Sequence, residues 1–360
     1  METIAIKLRV YISVFALIVV GSLPVWGESI MDGKDKKEIH KTFSVSMSDK
    51  LSVDNRFGDV TITHWNKKEI SIRVVIEASA RTDKRTEELM SYVKIDIDKS
   101  SNIVSAKTSM KNFGGTRNNE RLRIDYFISM PATLQSNIEL KYGNLYMPEK
   151  IEGVTALNVK YGNIKAGSFT TSLTIESKYG DVHIGNVKNA NLDLGYCGGA
   201  RVGDGESITV DSRYSNTTYG EVERLVIDDK YGNVSIKSVE KATVYMAYGN
   251  LNIGIVKSSL ISELKYSNLD LKQLEANFSK LDIEAGYGNA TIRIPSDAAF
   301  NVEASNMKYA DYSISGFNTK NRKNDSDGVS HYSEVNNGNS RRVIKFKGNK
   351  YSNLNIRAIK

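Results

Sequence analysis

One short stretch recurs through this chain, and its spacing restricts the fold more than any other feature. Lys141-Tyr142-Gly143-Asn144-Leu145 is followed by Lys160-Tyr161-Gly162-Asn163-Ile164 and by Lys178-Tyr179-Gly180-Asp181-Val182. The tyrosine returns at Tyr196, Tyr214, Tyr231, Tyr248, Tyr266, Tyr287, Tyr309 and Tyr351. From Tyr142 to Tyr266 the steps are 19, 18, 17, 18, 17, 17 and 18 residues. Self-similarity at a short fixed period marks stacked repeats, each of which buries its apolar face only against its neighbours.

Aligned on the tyrosine, the columns separate. Four residues before it stand Ile138, Leu157, Ile175, Leu192, Val210, Ile227, Val244 and Ile283. Three after it come Leu145, Ile164, Val182, Val234, Leu251 and Leu269, and eight after it Phe169, Val187, Val239, Val256 and Leu274. Alternate residues of a strand share a face, so these columns predict the core. The same parity predicts that the tyrosines point inward. An acidic column (Glu139, Glu176, Asp193, Asp211, Asp228, Glu263, Glu284) and a basic one (Lys141, Lys160, Lys178, Arg213, Lys230, Lys265, Lys308) fall two residues apart on the outer face. Gly-Asn or Gly-Asp after the tyrosine predicts a corner, with glycine supplying unusual backbone angles and stacked asparagines an amide ladder. The fold class that follows is all-β: a single-stranded parallel β-helix or solenoid with ~17–19-residue coils, preceded by a small β-rich N-terminal cap.

Outside the repeats the chain divides by composition. Residues 1–27 carry Lys7 and Arg9 ahead of an apolar run from Val10 to Val20, then Val25-Trp26-Gly27, the pattern of a cleaved signal peptide. No later apolar run is long enough to predict a transmembrane segment in the mature chain. Residues 28–42 are polar and predict a disordered leader. Residues 43–131 predict a β-rich cap with one short helix over Lys84 to Lys94, a strand at Asn102-Ile103-Val104 and a loop over 105–120. Asn55-Arg56-Phe57-Gly58-Asp59-Val60 is a first copy of the motif with Phe in place of Tyr. Repeats fill 132–316, a polar loop fills 317–340, and 341–360 read as the final rung around Tyr351.

Chemistry is sparse. Removing Glu2, Lys7 and Arg9 takes the formal charge from +7 to +6, too little to predict nucleic acid as a partner. Cys197 is the single cysteine, which excludes a disulfide framework and thiolate metal clusters. His40, His64, His183 and His331 are scattered without metal-ligand spacing. Gly198-Gly199 with Gly203-Asp204-Gly205 echoes a calcium-binding repeat once only. Neither a nucleophile elbow nor a phosphate loop occurs. The sequence therefore predicts no catalytic residues, no cofactor and no metal. A tyrosine platform for stacking sugars is the tempting alternative, which the inward parity opposes.

The Phe57-Gly58-Asp59-Val60 and Thr61-Ile62-Thr63-His64-Trp65 passages resemble the bacterial putative-adhesin family, as do the Tyr-Gly-Asn/Asp repeats and Ile294-Pro295-Ser296-Asp297-Ala298. The resemblance covers roughly residues 42–360 and implies an exported β-solenoid without a catalytic signature to carry over. The expected function is a non-enzymatic cell-envelope or surface scaffold for an unidentified envelope polymer or protein partner. The alternatives are a β-helix polysaccharide lyase or hydrolase and a periplasmic envelope-stress sensor component.

Overall fold

Alternating Ile, Val and Leu favour extended backbone, and the strands join one hydrogen-bonded sheet whose pairing is mixed, not purely parallel. A computed structural model describes residues 33–323, 329–349 and 351–360. The predicted signal peptide and residues 28–32 lie outside them.

Successive repeats lie strand against strand. Leu157 faces Ile138 on one side and Ile175 on the other, and Ile175 faces Leu192, all parallel and one repeat apart. Beyond the corner, Ile164 faces Leu145 and Val182 in the same way. Midway along the run these segments merge into long strands, Thr217–Lys230, Asn233–Ala247 and Asn250–Lys265. The predicted columns form the core: Ile138, Leu157, Val182, Val234, Phe169 and Val256 are among its buried residues. Each such side chain contributes about 1.5–3 kcal/mol by leaving water.

The cap and the repeats share this sheet. Lys50–Arg56 pairs parallel with Gln135–Lys141, and Val60–His64 with Leu145–Tyr146, so Phe57 occupies the first rung. Antiparallel pairs sit beyond it, Glu69–Ala80 with Arg121–Met130 and Val93–Ser100 with Ile103–Met110. The helix runs Asp83–Ser91, three residues short of its predicted end because Val93 opens the next strand. Thr82 caps it, Oγ1 accepting the Arg85 N–H at 3.3 Å.

Four segments differ from expectation. Residues 33–42 are not a disordered leader but most of the strand Gly33–Ser44, antiparallel to Glu69–Ala80. Its lysines face water while Ile39 and Phe43 pack on the core, which is how a charged edge strand reads as disordered. Residues 105–110 continue the strand Ile103–Met110 instead of looping. Within 317–340, Thr319–Lys323 and His331–Val335 form an antiparallel pair, and the second also pairs with Phe300–Ser305. The Tyr351 rung is not the last: Val343–Lys347 inserts between Lys280–Gly286 and Phe300–Ser305, and Asn353–Ile359 between Asn289–Pro295 and Tyr312–Ser315. Rung order in space thus departs from order in sequence, since the chain passes outward through Tyr309 and then returns.

Candidate functional site

The tyrosines do not point inward. Tyr142, Tyr161, Tyr179, Tyr196, Tyr214, Tyr231, Tyr248, Tyr266 and Tyr287 are 43–53% exposed. Each has a left-handed backbone, with φ between 50° and 63°. Strand alternation applies only while the backbone stays extended, so a left-handed residue ends the parity and turns its side chain out. Adjacent rungs hold each corner in place. The Tyr142 N–H donates to Lys160 O at 2.9 Å, Tyr161 N–H to Lys178 O at 2.9 Å, and Tyr231 N–H to Ala247 O at 2.9 Å.

Turned out at one corner of every rung, the rings stack. Successive centroids from Tyr142 to Tyr287 lie 4.7–5.0 Å apart with planes 2–17° from parallel. Phe57 begins the ladder 5.2 Å from Tyr142, and Tyr351 and then Tyr309 continue it at 5.8 and 5.4 Å. At ~4.8 Å per rung the ladder is on the order of 50 Å long. Because the faces cover one another, the surface offered is a row of ring edges and phenol hydroxyls. That geometry removes the sugar-stacking platform, which needs free faces, and leaves an aromatic rail.

The corner's other residues support the rail. Glycine follows most of the tyrosines, but its φ is not positive there, so the predicted role in unusual angles belongs to the tyrosine. Glycine serves close approach instead. A Cβ on Gly162 would lie 1.7 Å from the Gly143 carbonyl oxygen, and one on Gly249 1.8 Å from that of Gly232. The predicted amide ladder is present: Asn250 Nδ2 donates to Asn233 Oδ1 at 3.0 Å, Asn268 to Asn250 at 3.1 Å, and Asn353 to Asn289 at 2.8 Å. The Asp204 echo of a calcium repeat belongs to a different ladder, of backbone N–H to side-chain oxygen bonds, accepting from the Glu221 N–H at 2.8 Å and donating its own N–H to Asn186 Oδ1 at 2.9 Å.

Charge flanks the rail in balanced pairs. Lys178 and Lys160 reach Glu176 at 3.1 and 3.3 Å, Arg213 reaches Asp211 at 3.4 Å, and Lys265 reaches Glu263 at 3.0 Å. The Lys178 and Lys160 ammonium groups hold the Glu176 carboxyl below its ordinary range. Lys141 lies over the Tyr142 ring, 5.0 Å from its centroid.

A concave surface near the C-terminal end, a cavity of about 640 Å³, gathers Glu263 and Glu284 of the acidic column together with charged groups outside the columns, Asp282, Glu303, Lys345 and Lys347. There Lys345 lies in register between Asp282 and Glu303 on neighbouring strands, and Lys347 bonds Glu284 at 2.9 Å. Among the described residues no group of three or more His, Cys, Asp or Glu is placed to hold a metal ion. His183 lies 2.7 Å from Arg201, His40 2.8 Å from Ser71 Oγ, and His64 3.0 Å from Lys150 O, where burial lowers its pKa. His331 stacks on Tyr312 at 4.6 Å. The Cys197 thiol is buried, which pushes its pKa up.

The family model Toastrack DUF4097 matches residues 48–349. The chain belongs to that family. Among curated proteins none matches this Toastrack chain. Solved structures do, at low identity. A putative adhesin from Parabacteroides distasonis is 12% identical, over 73% of this chain and 98% of its own, with a TM-score of 0.36. A putative adhesin from Parabacteroides merdae is 10% identical over 90% and 97%, with a TM-score of 0.33. A putative lipid binding protein from Parabacteroides distasonis is 16% identical over 72% and 97%, with a TM-score of 0.32. No helix among the described residues is long and apolar enough to cross a membrane.

Proposed function

We propose that this Toastrack protein is a non-enzymatic scaffold of the cell envelope or surface whose tyrosine rail engages an extended polymer or a protein partner. In this reading the repeats are the coils of a single-stranded β-solenoid, which supplies a straight, rigid rail. One observation carries the proposal: the tyrosines are kept exposed at positions where tyrosine has little to gain for stability. A left-handed non-glycine residue costs about 1–2 kcal/mol. Stacking one ring on the next contributes about 0.5–1.5 kcal/mol. The two nearly cancel, and asparagine or glycine would meet the backbone requirement at lower cost. A contiguous exposed aromatic surface of this length is the kind of feature that marks an interaction site.

The test is retention of the full chain on immobilised envelope glycans and envelope extract, beside a variant carrying Tyr179→Ser, Tyr196→Ser and Tyr214→Ser. We expect the wild type to be retained and the variant to bind on the order of tenfold more weakly, the scale of losing central aromatic anchors. Retention of both alike would remove the rail from the account.

The Asp282, Lys345 and Glu303 row favours a second reading, a lyase or hydrolase of acidic polysaccharides working in the C-terminal cavity. Incubation with uronic-acid polymers separates the two. New reducing ends or unsaturated sugars, lost on Lys345→Ala, would establish the enzyme.

A further inference from the structure

The rail also has a chemistry of its own. Its nine tyrosines from Tyr142 to Tyr287 are half-exposed phenols, each 4.7–5.0 Å from the next and close to parallel with it. Two neighbours are always one repeat apart in sequence and on adjacent strands in space, as Lys160↔Lys178 and Arg213↔Lys230 just before them show. The chain's one cysteine is buried, so no disulfide can tie these rungs together. We propose that the rail is a site of oxidative tyrosine cross-linking, in which hydrogen peroxide acting through a peroxidase joins phenols of successive repeats as dityrosine.

The step balances simply. Each of two adjacent phenols gives up one electron and its hydroxyl proton, leaving two phenoxyl radicals held side by side. Their ortho carbons couple, and the two ortho protons move to the ring oxygens to restore both phenols. The two hydrogen atoms removed reduce one hydrogen peroxide to two waters. Stacking makes the coupling an event within one molecule, at an effective concentration no bimolecular encounter reaches. Because each ring has a neighbour on either side, a radical formed on any rung has a partner within reach. Phe57 ends the series, since its ring carries no hydroxyl. Each link closes a loop of one repeat and so restricts the unfolded chain as a disulfide would.

The structure supplies its own controls. Tyr245 is as exposed as the ladder, at 47%, and Tyr146 nearly so, at 40%, yet neither stacks on another ring among the described residues, while Tyr126 and Tyr219 are fully buried. The experiment treats the full chain with a peroxidase and hydrogen peroxide, folded and in urea, and maps dityrosine by mass spectrometry of crosslinked peptides. The expected links join Tyr161 to Tyr179 and Tyr214 to Tyr231 and their like. They leave Tyr146, Tyr245, Tyr126 and Tyr219 uncoupled, fall about tenfold or more on unfolding, and raise the urea midpoint of the product. A Tyr196→Phe, Tyr231→Phe variant keeps the stack but isolates Tyr214, which should then form no link. Its far-ultraviolet spectrum checks that it folds. Equal yields in the unfolded chain, links chiefly between molecules, or coupling of Tyr146 and Tyr245 at the ladder's rate would overturn the proposal.

Discussion

Replacing Gly162 by alanine should cost about 3 kcal/mol or more, seen as a large drop in the urea midpoint, whereas Gly199→Ala should stay within about 0.5 kcal/mol. The reason is spatial. A Cβ at Gly162 meets the carbonyl of Gly143 at 1.7 Å for oxygen and 2.6 Å for carbon, and both atoms belong to a backbone held in the ladder. No flexible side chain can give way there, so one strand must move off its neighbour. At Gly199, in the corner after Tyr196, an added Cβ meets nothing within 4 Å. Similar losses from both substitutions would mean that the corners are not packed carbonyl against Cα as described.

The second large effect concerns a buried carboxyl. Asp229 is fully buried in the inward column two residues before the tyrosine, where Leu140, Val159, Leu194, Met246 and Leu264 stand in other rungs. Ser212 Oγ donates to one carboxylate oxygen, and the other has no hydrogen-bond partner among the described residues. Burial pushes its pKa up to about 6, against the pull of the Ser212 hydroxyl and the Gly232 backbone N–H. The folded value lies above the ordinary aspartate value near ~3.9, so protonation favours the folded state. This contribution is whole below pH ~3.9, declines as pH rises, and is gone once pH has passed about 6. At ~1.36 kcal/mol per unit the loss is about 3 kcal/mol. Asp229→Asn cannot ionise, so its stability minus that of the wild type should grow by about 2.5 kcal/mol between pH 4 and pH 8 in urea titrations. Parallel pH profiles would show that Asp229 is hydrated and ionised throughout.

These two positions show what the sequence reveals and what it hides. The core was legible because hydrophobic columns repeat with the strand: Ile138, Leu157, Ile175 and Val244 are buried as their alternation predicts. The corner was legible as a place but not as a geometry. Parity carried across Tyr161 predicts a buried ring, whereas φ of 60° at that residue ends the parity and exposes it. A signal for this was present. Inward columns mix Leu, Ile and Val from rung to rung, while the tyrosine column stays tyrosine, as expected when identical rings must stack on one another. Strand Gly33–Ser44 was hidden because an edge strand pairs through its backbone and leaves its lysines in water. The insertion of the Tyr351 rung between those of Tyr287 and Tyr309 was hidden because a repeat names a rung without giving its place in the stack. The C-terminal cavity was missed for a related reason: Asp282, Lys345 and Glu303 are remote in sequence and meet only through that insertion.

The outward tyrosine rail is the central claim, and acylation of the folded chain with N-acetylimidazole, read residue by residue by mass spectrometry, tests it most directly. The account predicts acetylation along the whole series from Tyr142 to Tyr287, with Tyr126 and Tyr219 protected until the chain unfolds. Protection of the series to the same degree as Tyr126 and Tyr219 would return the tyrosines to the core and contradict it.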